Sequence, residues 1–235
     1  MNESLWDTRP ERYVAVKDES RKTILYPWLR DKIHQLSPNK IIDFGAGDGS
    51  LFHEFDSEYE ELTLYDTSVR MLEIARGNFC GNNRVFFVSK SEELEKDSYN
   101  LVVCSLVLMT IPTLYELRNA CSVMHHSAIK GAHCLVAITH PCFRQYPFST
   151  FATDLTGESF LYMKDGMPFH VLLRDYQENE VTLFDYHWSL STTINILIDV
   201  GFSLRQMIEL PDKAVIGQPE NKLFPPYIIL DFIKE

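Results

Sequence analysis

The stretch "IIDFGAGDGS", residues 41–50, sets three glycines at alternate positions, Gly45, Gly47 and Gly49, just after an acid that closes an apolar run. "KIIDF" (40–44) reads as a buried strand, and the glycines as the turn into a short helix reaching about Phe55. Such a turn lets a ligand approach the backbone and exposes helix N-terminal N–H groups. The dinucleotide fingerprint is GxGxxG, but the place of its third glycine is held by Ser50. Asp43 at the strand end repels a pyrophosphate and attracts a cation.

Outward from this turn, strands and helices alternate. "LTLYD" (62–66), "RVFFV" (84–88), "YNLVVCSLVL" (99–108) and "AHCLVAIT" (132–139) read as strands. "SVRMLEIARGNF" (68–79) reads as a helix, as does a segment from Pro112, in the first turn, to about Ala128. The alternation predicts a parallel sheet with right-handed crossovers. Upstream, residues 18–36 have helical spacing that Pro27 breaks. The rhythm is interrupted by eleven aromatic rings between residues 141 and 188, where "FHVLLRDYQENEVTLFDYHW" predicts two strands around a polar turn. It resumes with a helix over 191–202 and strands over 203–210 and 225–235, which can pair antiparallel.

A chain of 235 residues, 45% hydrophobic, suffices for one α/β domain with an insertion. A net charge of −11 with no Lys/Arg cluster argues against nucleic acid. The apolar run 101–112 is too short to span a bilayer, and the polar start lacks the apolar segment expected of a signal peptide. Five cysteines without CxxC read as reduced thiols in a cytoplasmic protein, with Cys104 and Cys134 in the core. No four-ligand metal spacing is present, and no metal is expected.

The second acid is Asp66, 21 residues after Gly45 and at the end of strand two. A carboxylate there can accept both hydroxyls of a ribose, whether in NAD or another nucleoside. Two acids without a phosphate-neutralising base favour a cationic nucleoside.

These residues resemble the class I S-adenosylmethionine-dependent methyltransferases, nearest to the small-molecule type. "DFGAGDG" is similar to the family's first motif and "LTLYDTS" to its second-strand acid. "VFFVSKSEEL", "YNLVVCSLVLMTIP" and "IKGAHCLVAITHP" resemble the segments that follow, over about 40–140, and residues 186–235 the closing part.

The resemblance implies a Rossmann-like α/β fold: a seven-stranded, mostly parallel sheet with an antiparallel last strand, helices on both faces and an aromatic-rich lid. The expected organisation is one domain, 1–235, with a helical lid at 1–36 and a substrate lid at 141–188. It implies S-adenosylmethionine as cofactor, S-adenosylhomocysteine as product and a small-molecule acceptor. Asp43 would hold the methionine ammonium, beside the backbone of Gly45, Ala46, Gly47 and Gly49. Asp66 would grip the ribose, with Thr67 and Met71 near the adenine. Lys90 and Ser91 fall at the adenine amine and ring. Lys90 is a base where the family often has an acid, so that contact falls to backbone or to Ser91. Ser105 and Leu106 would border the methionine and sulfonium, and Trp6 and Tyr13 resemble an N-terminal lid.

His140, at the end of strand five, and His187, at the end of the insertion, are candidate general bases. With Phe143 and Tyr186 they are the expected acceptor-binding residues. A cofactor-holding module without transfer activity, and an NAD-dependent dehydrogenase, are the rival readings.

Overall fold

The structure is a computed structural model that describes residues 5–8, 10–53, 59–148, 150–211 and 224–235. It opens with short helices α1 (Leu5–Thr8) and α2 (Pro10–Val14), a π turn (Arg21–Leu25) and α3 (Tyr26–Leu36). The break expected at Pro27 is thus a change of helix type, with Pro27 in the first turn of α3, where its missing N–H has no helical partner to lose.

The alternating part comprises β1 (Lys40–Phe44), α4 (Ser50–His53), β2 (Glu61–Tyr65), α5 (Val69–Asn78), β3 (Val85–Val88), β4 (Tyr99–Ser105), α6 (Leu114–Ser127) and β5 (Ala128–Thr139). The expected run of the first helix to Phe55 lies partly outside the described residues. The insertion contributes β6 (Ala152–Thr153), β7 (Met167–Arg174) and β8 (Glu180–His187), and the chain closes with α7 (Leu190–Asp199), β9 (Phe202–Leu210) and β10 (Tyr227–Lys234).

Seven strands form one sheet in the order β3-β2-β1-β4-β5-β10-β9. The neighbours from β3 to β5 pair parallel, while β10 runs antiparallel to both β5 and β9. The last strand is therefore inserted between the fifth and the penultimate one. β1 lies between β2 and β4, so the connections leave its two sides in opposite directions. The crevice at the carboxyl ends of these strands is where an open α/β sheet binds ligands. Apolar side chains pack on both faces, Leu29 and Phe52 in one cluster and Leu117 and Phe232 in the other. Cys104 and Cys134 are fully buried as expected, and burial raises both thiols.

Two boundaries differ from the sequence reading. β4 stops at Ser105 because Leu106 turns to φ +60, leaving the strand direction. Pro112 lies before α6, whose cap is Thr113: its side chain accepts the Glu116 N–H, so the helix starts at Leu114, two residues after the proline. The insertion forms a separate antiparallel sheet, β6-β7-β8, with one strand more than expected. Backbone pairing of Val16 with Asp175, and Lys17 N–H donating to Arg174 O at 2.8 Å, join the N-terminal segment to it.

Candidate active site

The glycine turn closes on itself: Gly45 and Ala46 N–H both donate to Tyr65 O, at 2.7 and 2.9 Å. Gly45 adopts φ +79, and a Cβ there would lie 2.3 Å from Val107 Cγ2. Glycine is thus demanded by the segment after β4, which presses against the turn. Gly47, at φ +57, would meet only Met71 Cε, at 3.3 Å. Gly49 serves packing instead. A Cβ there would lie 2.6 Å from the Phe79 ring, and Gly49 lines neither cavity described below.

Asp66 follows β2 and is fixed by two backbone donors: Gly47 N–H to Oδ2 and Ser68 N–H to Oδ1, both at 2.8 Å. It therefore ties the glycine turn to the start of α5, whose cap is Ser68. Asp43 is only 3% exposed. Burial, then Asp66 and Asp48, push its carboxyl up to about 8. Ser105, at the end of the neighbouring β4, has a buried hydroxyl with no hydrogen-bond partner.

Two cavities meet at this turn. The larger, about 310 Å³, is lined among others by Asp66, Thr67, Met71 and Ser91. The smaller, about 30 Å³, is lined among others by Asp43, Ala46 and Ser105. Tyr13, Gly45, Gly47 and Leu106 line both. Trp6 also faces the larger cavity and meets Tyr13 edge-to-face, centroids 5.9 Å apart. Lys90 is exposed, lies 3.8 Å from Glu93, and lines neither.

The four expected acceptor residues are elsewhere. His140, 3% exposed, lies within 2.9 Å of Glu209 Oε1 through Nε2, and its Nδ1 accepts the Cys142 N–H. His187 is fully buried: Nδ1 accepts from Arg144 Nε at 3.1 Å, and Nε2 donates to Tyr162 O at 2.7 Å. Burial lowers both imidazoles below their usual range. Phe143 packs on His140 and Phe224, and Tyr186 on Phe184. None of the four lines either cavity.

The structure brings in residues that the sequence reading passed over. Arg21, from the π turn, lines both cavities. Its Nη1 donates to Tyr13 Oη at 3.2 Å, it lies near the Tyr13 and Tyr26 rings, and its Nε has no hydrogen-bond partner. Asp18 accepts from Ser20 Oγ and the Arg21 N–H, each at 3.0 Å. Asp185 faces the larger cavity from β8. Asp185 was findable: period-two alternation puts it on the apolar side with Val181 and Leu183. Arg21 carried no such signal, because a π turn shifts the helical register that assigns its face.

Among the described residues, no group of three His, Cys, Asp or Glu side chains could hold a metal ion, and no helix is long and apolar enough to cross a membrane.

A doubly wound sheet with a glycine turn at its switch point, flanked by strand-end carboxylates, is the frame of a class I methyltransferase. Residues 41–127 match the family model of a methyltransferase domain. Similar solved structures include an S-adenosylmethionine-dependent methyltransferase from Mesorhizobium loti, with 19% identity and a TM-score of 0.64 over 88% of this chain and 96% of that one. The amino pentose methyltransferase CalS10 of Micromonospora echinaspora, solved with S-adenosylmethionine, matches at 13% identity and 0.62, covering 95% of each chain. The N-methyltransferase NodS of Bradyrhizobium japonicum, solved with S-adenosylhomocysteine, matches at 13% and 0.57, covering 97% of each. No curated protein matches the sequence. Residues 41–127 thus match a methyltransferase domain, and the chain has the fold of S-adenosylmethionine-dependent methyltransferases.

Proposed function

We propose that the protein transfers the methyl group of S-adenosylmethionine to a small organic molecule bound in the larger cavity. The observation that carries this reading is the small cavity beside the glycine turn. The buried Asp43 carboxyl and the Ser105 hydroxyl, itself buried without a hydrogen-bond partner, both face it. Buried polar groups left unpaired are costly and call for an explanation. An alkylammonium satisfies both, since it donates to each and lets Asp43 ionise.

On this reading Asp43 and Ser105 hold the methionine ammonium, and Arg21, whose Nε lies 3.8 Å from Asp18 Oδ2 but makes no hydrogen bond, holds the carboxylate. Asp66, at the rim of the glycine turn and lining the larger cavity, takes the ribose hydroxyls. Met71 and Ser91 border the adenine, with Thr67 at the rim. Leu106 and Val107 press the donor toward the larger cavity. When bound, the cofactor supplies an electrophilic sulfonium methyl. The chain then has to orient a nucleophile about 3–3.5 Å away and in line, and to exclude water. The N-terminal helices with Trp6 and Tyr13, and the β6-β7-β8 sheet with Leu173 and Leu183, supply apolar walls for this. They act as the two lids of a single domain, in a soluble cytoplasmic enzyme. The histidines have no proposed part in proton transfer, because each ring nitrogen is already engaged away from the cavities.

Calorimetric titration with S-adenosylhomocysteine tests the reading. We expect micromolar binding, lost by at least tenfold in the double variant Asp43→Asn, Asp66→Asn. Unchanged affinity in that variant refutes the proposed site, and tight binding of NAD instead refutes the choice of cofactor.

A further inference from the structure

β8 alternates along its length, with Val181, Asp185 and His187 buried and Glu180 and Thr182 exposed. Asp185 therefore occupies a position of the inward face, and it lines the larger cavity together with Leu183, Val171 and Leu173 of the same small sheet. It is 6% exposed. No hydrogen bond or ion pair within 4.0 Å joins it to any described residue. The cation that acts on it, Arg144, is committed elsewhere: Nη1 donates to Thr139 Oγ1 at 2.7 Å, Nε to His187 Nδ1, and the guanidinium lies 4.7 Å from the Phe169 ring centroid. Asp18, the other buried acid of the cavity, differs in being satisfied, by Ser20, Arg21 and Thr150.

A carboxyl on an apolar wall, buried and unpaired, destabilises the fold unless a ligand meets it. Its surroundings indicate the ligand's charge. Among the described residues, the charged side chains lining this cavity are Asp18, Asp66, Glu116, Asp185 and the single base Arg21. Such a surface attracts cations and repels anions, in a chain of net charge −11.

We propose that Asp185 is the acceptor-recognition residue and that the acceptor is an amine, received as its ammonium on the Asp185 carboxylate. This rests on the methyltransferase reading and names the acceptor class within it. The same contact prepares the nucleophile. R–NH3+ gives one proton to Asp185, leaving R–NH2 with a free lone pair and a neutral carboxylic acid, so that charge and protons balance. Burial, opposed by Arg144, pushes the Asp185 carboxyl up to about 7, a basicity suited to that exchange near neutral pH. The apolar wall selects an amine carried on a ring or branched hydrocarbon rather than a polyol.

The test is calorimetric titration of the full chain, with and without S-adenosylhomocysteine, using benzylamine, benzyl alcohol and benzoate, and the cyclohexylmethyl counterparts. Amines should bind at least tenfold more tightly than the alcohols, and the carboxylates least. Asp185→Asn should erase the amine preference while S-adenosylhomocysteine affinity stays within twofold. Asp185→Leu, which matches the wall, serves as a second variant should the amide not fold. Amines binding no better than alcohols, or a preference that survives both substitutions, overturns the proposal. Failure of S-adenosylhomocysteine to bind instead refutes the cofactor reading, and the cofactor-free titration still decides the role of Asp185.

Discussion

Asp43→Asn should make the protein more stable and its cofactor site weaker, in a pH-dependent way. Burial and two neighbouring acids raise the Asp43 carboxyl from 3.8 to about 8. Between those limits the folded chain holds a proton that the unfolded chain has released. Its contribution to stability is therefore complete below about pH 4, declines as pH rises, and levels off above about pH 8. At pH 7 the lag behind the unfolded chain amounts to about 4 kcal/mol. Asparagine keeps the shape and cannot ionise, but its amide must also be desolvated, so the net gain is about 2–4 kcal/mol. That corresponds to roughly 5–15 °C in melting temperature for a domain of this size. Calorimetric melting of both proteins from pH 4 to 9 reads the effect. The difference between them should be near zero at pH 4, widen to pH 8 and then stay constant. The same substitution should weaken S-adenosylhomocysteine binding by about 10–100-fold through loss of a charge-assisted contact. Parallel melting curves across the whole range would refute the reasoning, because Asp43 would then be ionised in the free protein.

Further outcomes follow from particular contacts. Gly45→Ala drives a Cβ into Val107 at a positive φ and should cost about 2–3 kcal/mol in urea unfolding, whereas Gly47→Ala, meeting only a flexible Met71 end, should cost about 1 kcal/mol. Arg21→Met preserves much of the packing yet should weaken S-adenosylhomocysteine by at least tenfold, measured by calorimetry, with little change for adenosine, which lacks the carboxylate. His187→Leu removes an acceptor for buried Arg144 and a donor to Tyr162 O, so denaturant unfolding should show a loss of about 2–4 kcal/mol, with S-adenosylhomocysteine affinity of the folded protein unchanged.

The fold was legible because periodicity and punctuation are local. "KIIDF" and "LTLYD" could be placed within a residue, since buried strands need unbroken apolar runs and the glycine turn marks where one ends. The proximity of Asp43, Asp66 and the glycine turn was legible for a related reason: they lie at fixed spacings from strand ends that the sheet brings together. Gly49 shows where spacing misled, because a glycine required for helix–sheet packing has the same signature as one required by a ligand. The expected acceptor residues lie away from both cavities for a different reason. His140 and His187 end strands, and a strand end near a crevice looks functional whichever way its side chain turns. Arg144 and Glu209, distant in sequence, claim the two rings.

The amino-acid sequence by itself determined the order of strands and helices and the placing of two carboxylates at the ends of the first two strands. Both follow from local burial patterns and from residues within one βαβ unit of one another. Only the tertiary structure decided what walls the larger cavity. That surface is assembled from the N-terminal π turn, the segment after β4 and an inserted sheet, elements whose packing no local pattern encodes. Whether a charged side chain faces solvent, a partner or a ligand depends on which of them it meets. For Asp185 that was fixed by elements far away along the chain, whereas Asp18 and Arg21 are held largely by residues within eight positions and reach the cavity through the packing of their segment.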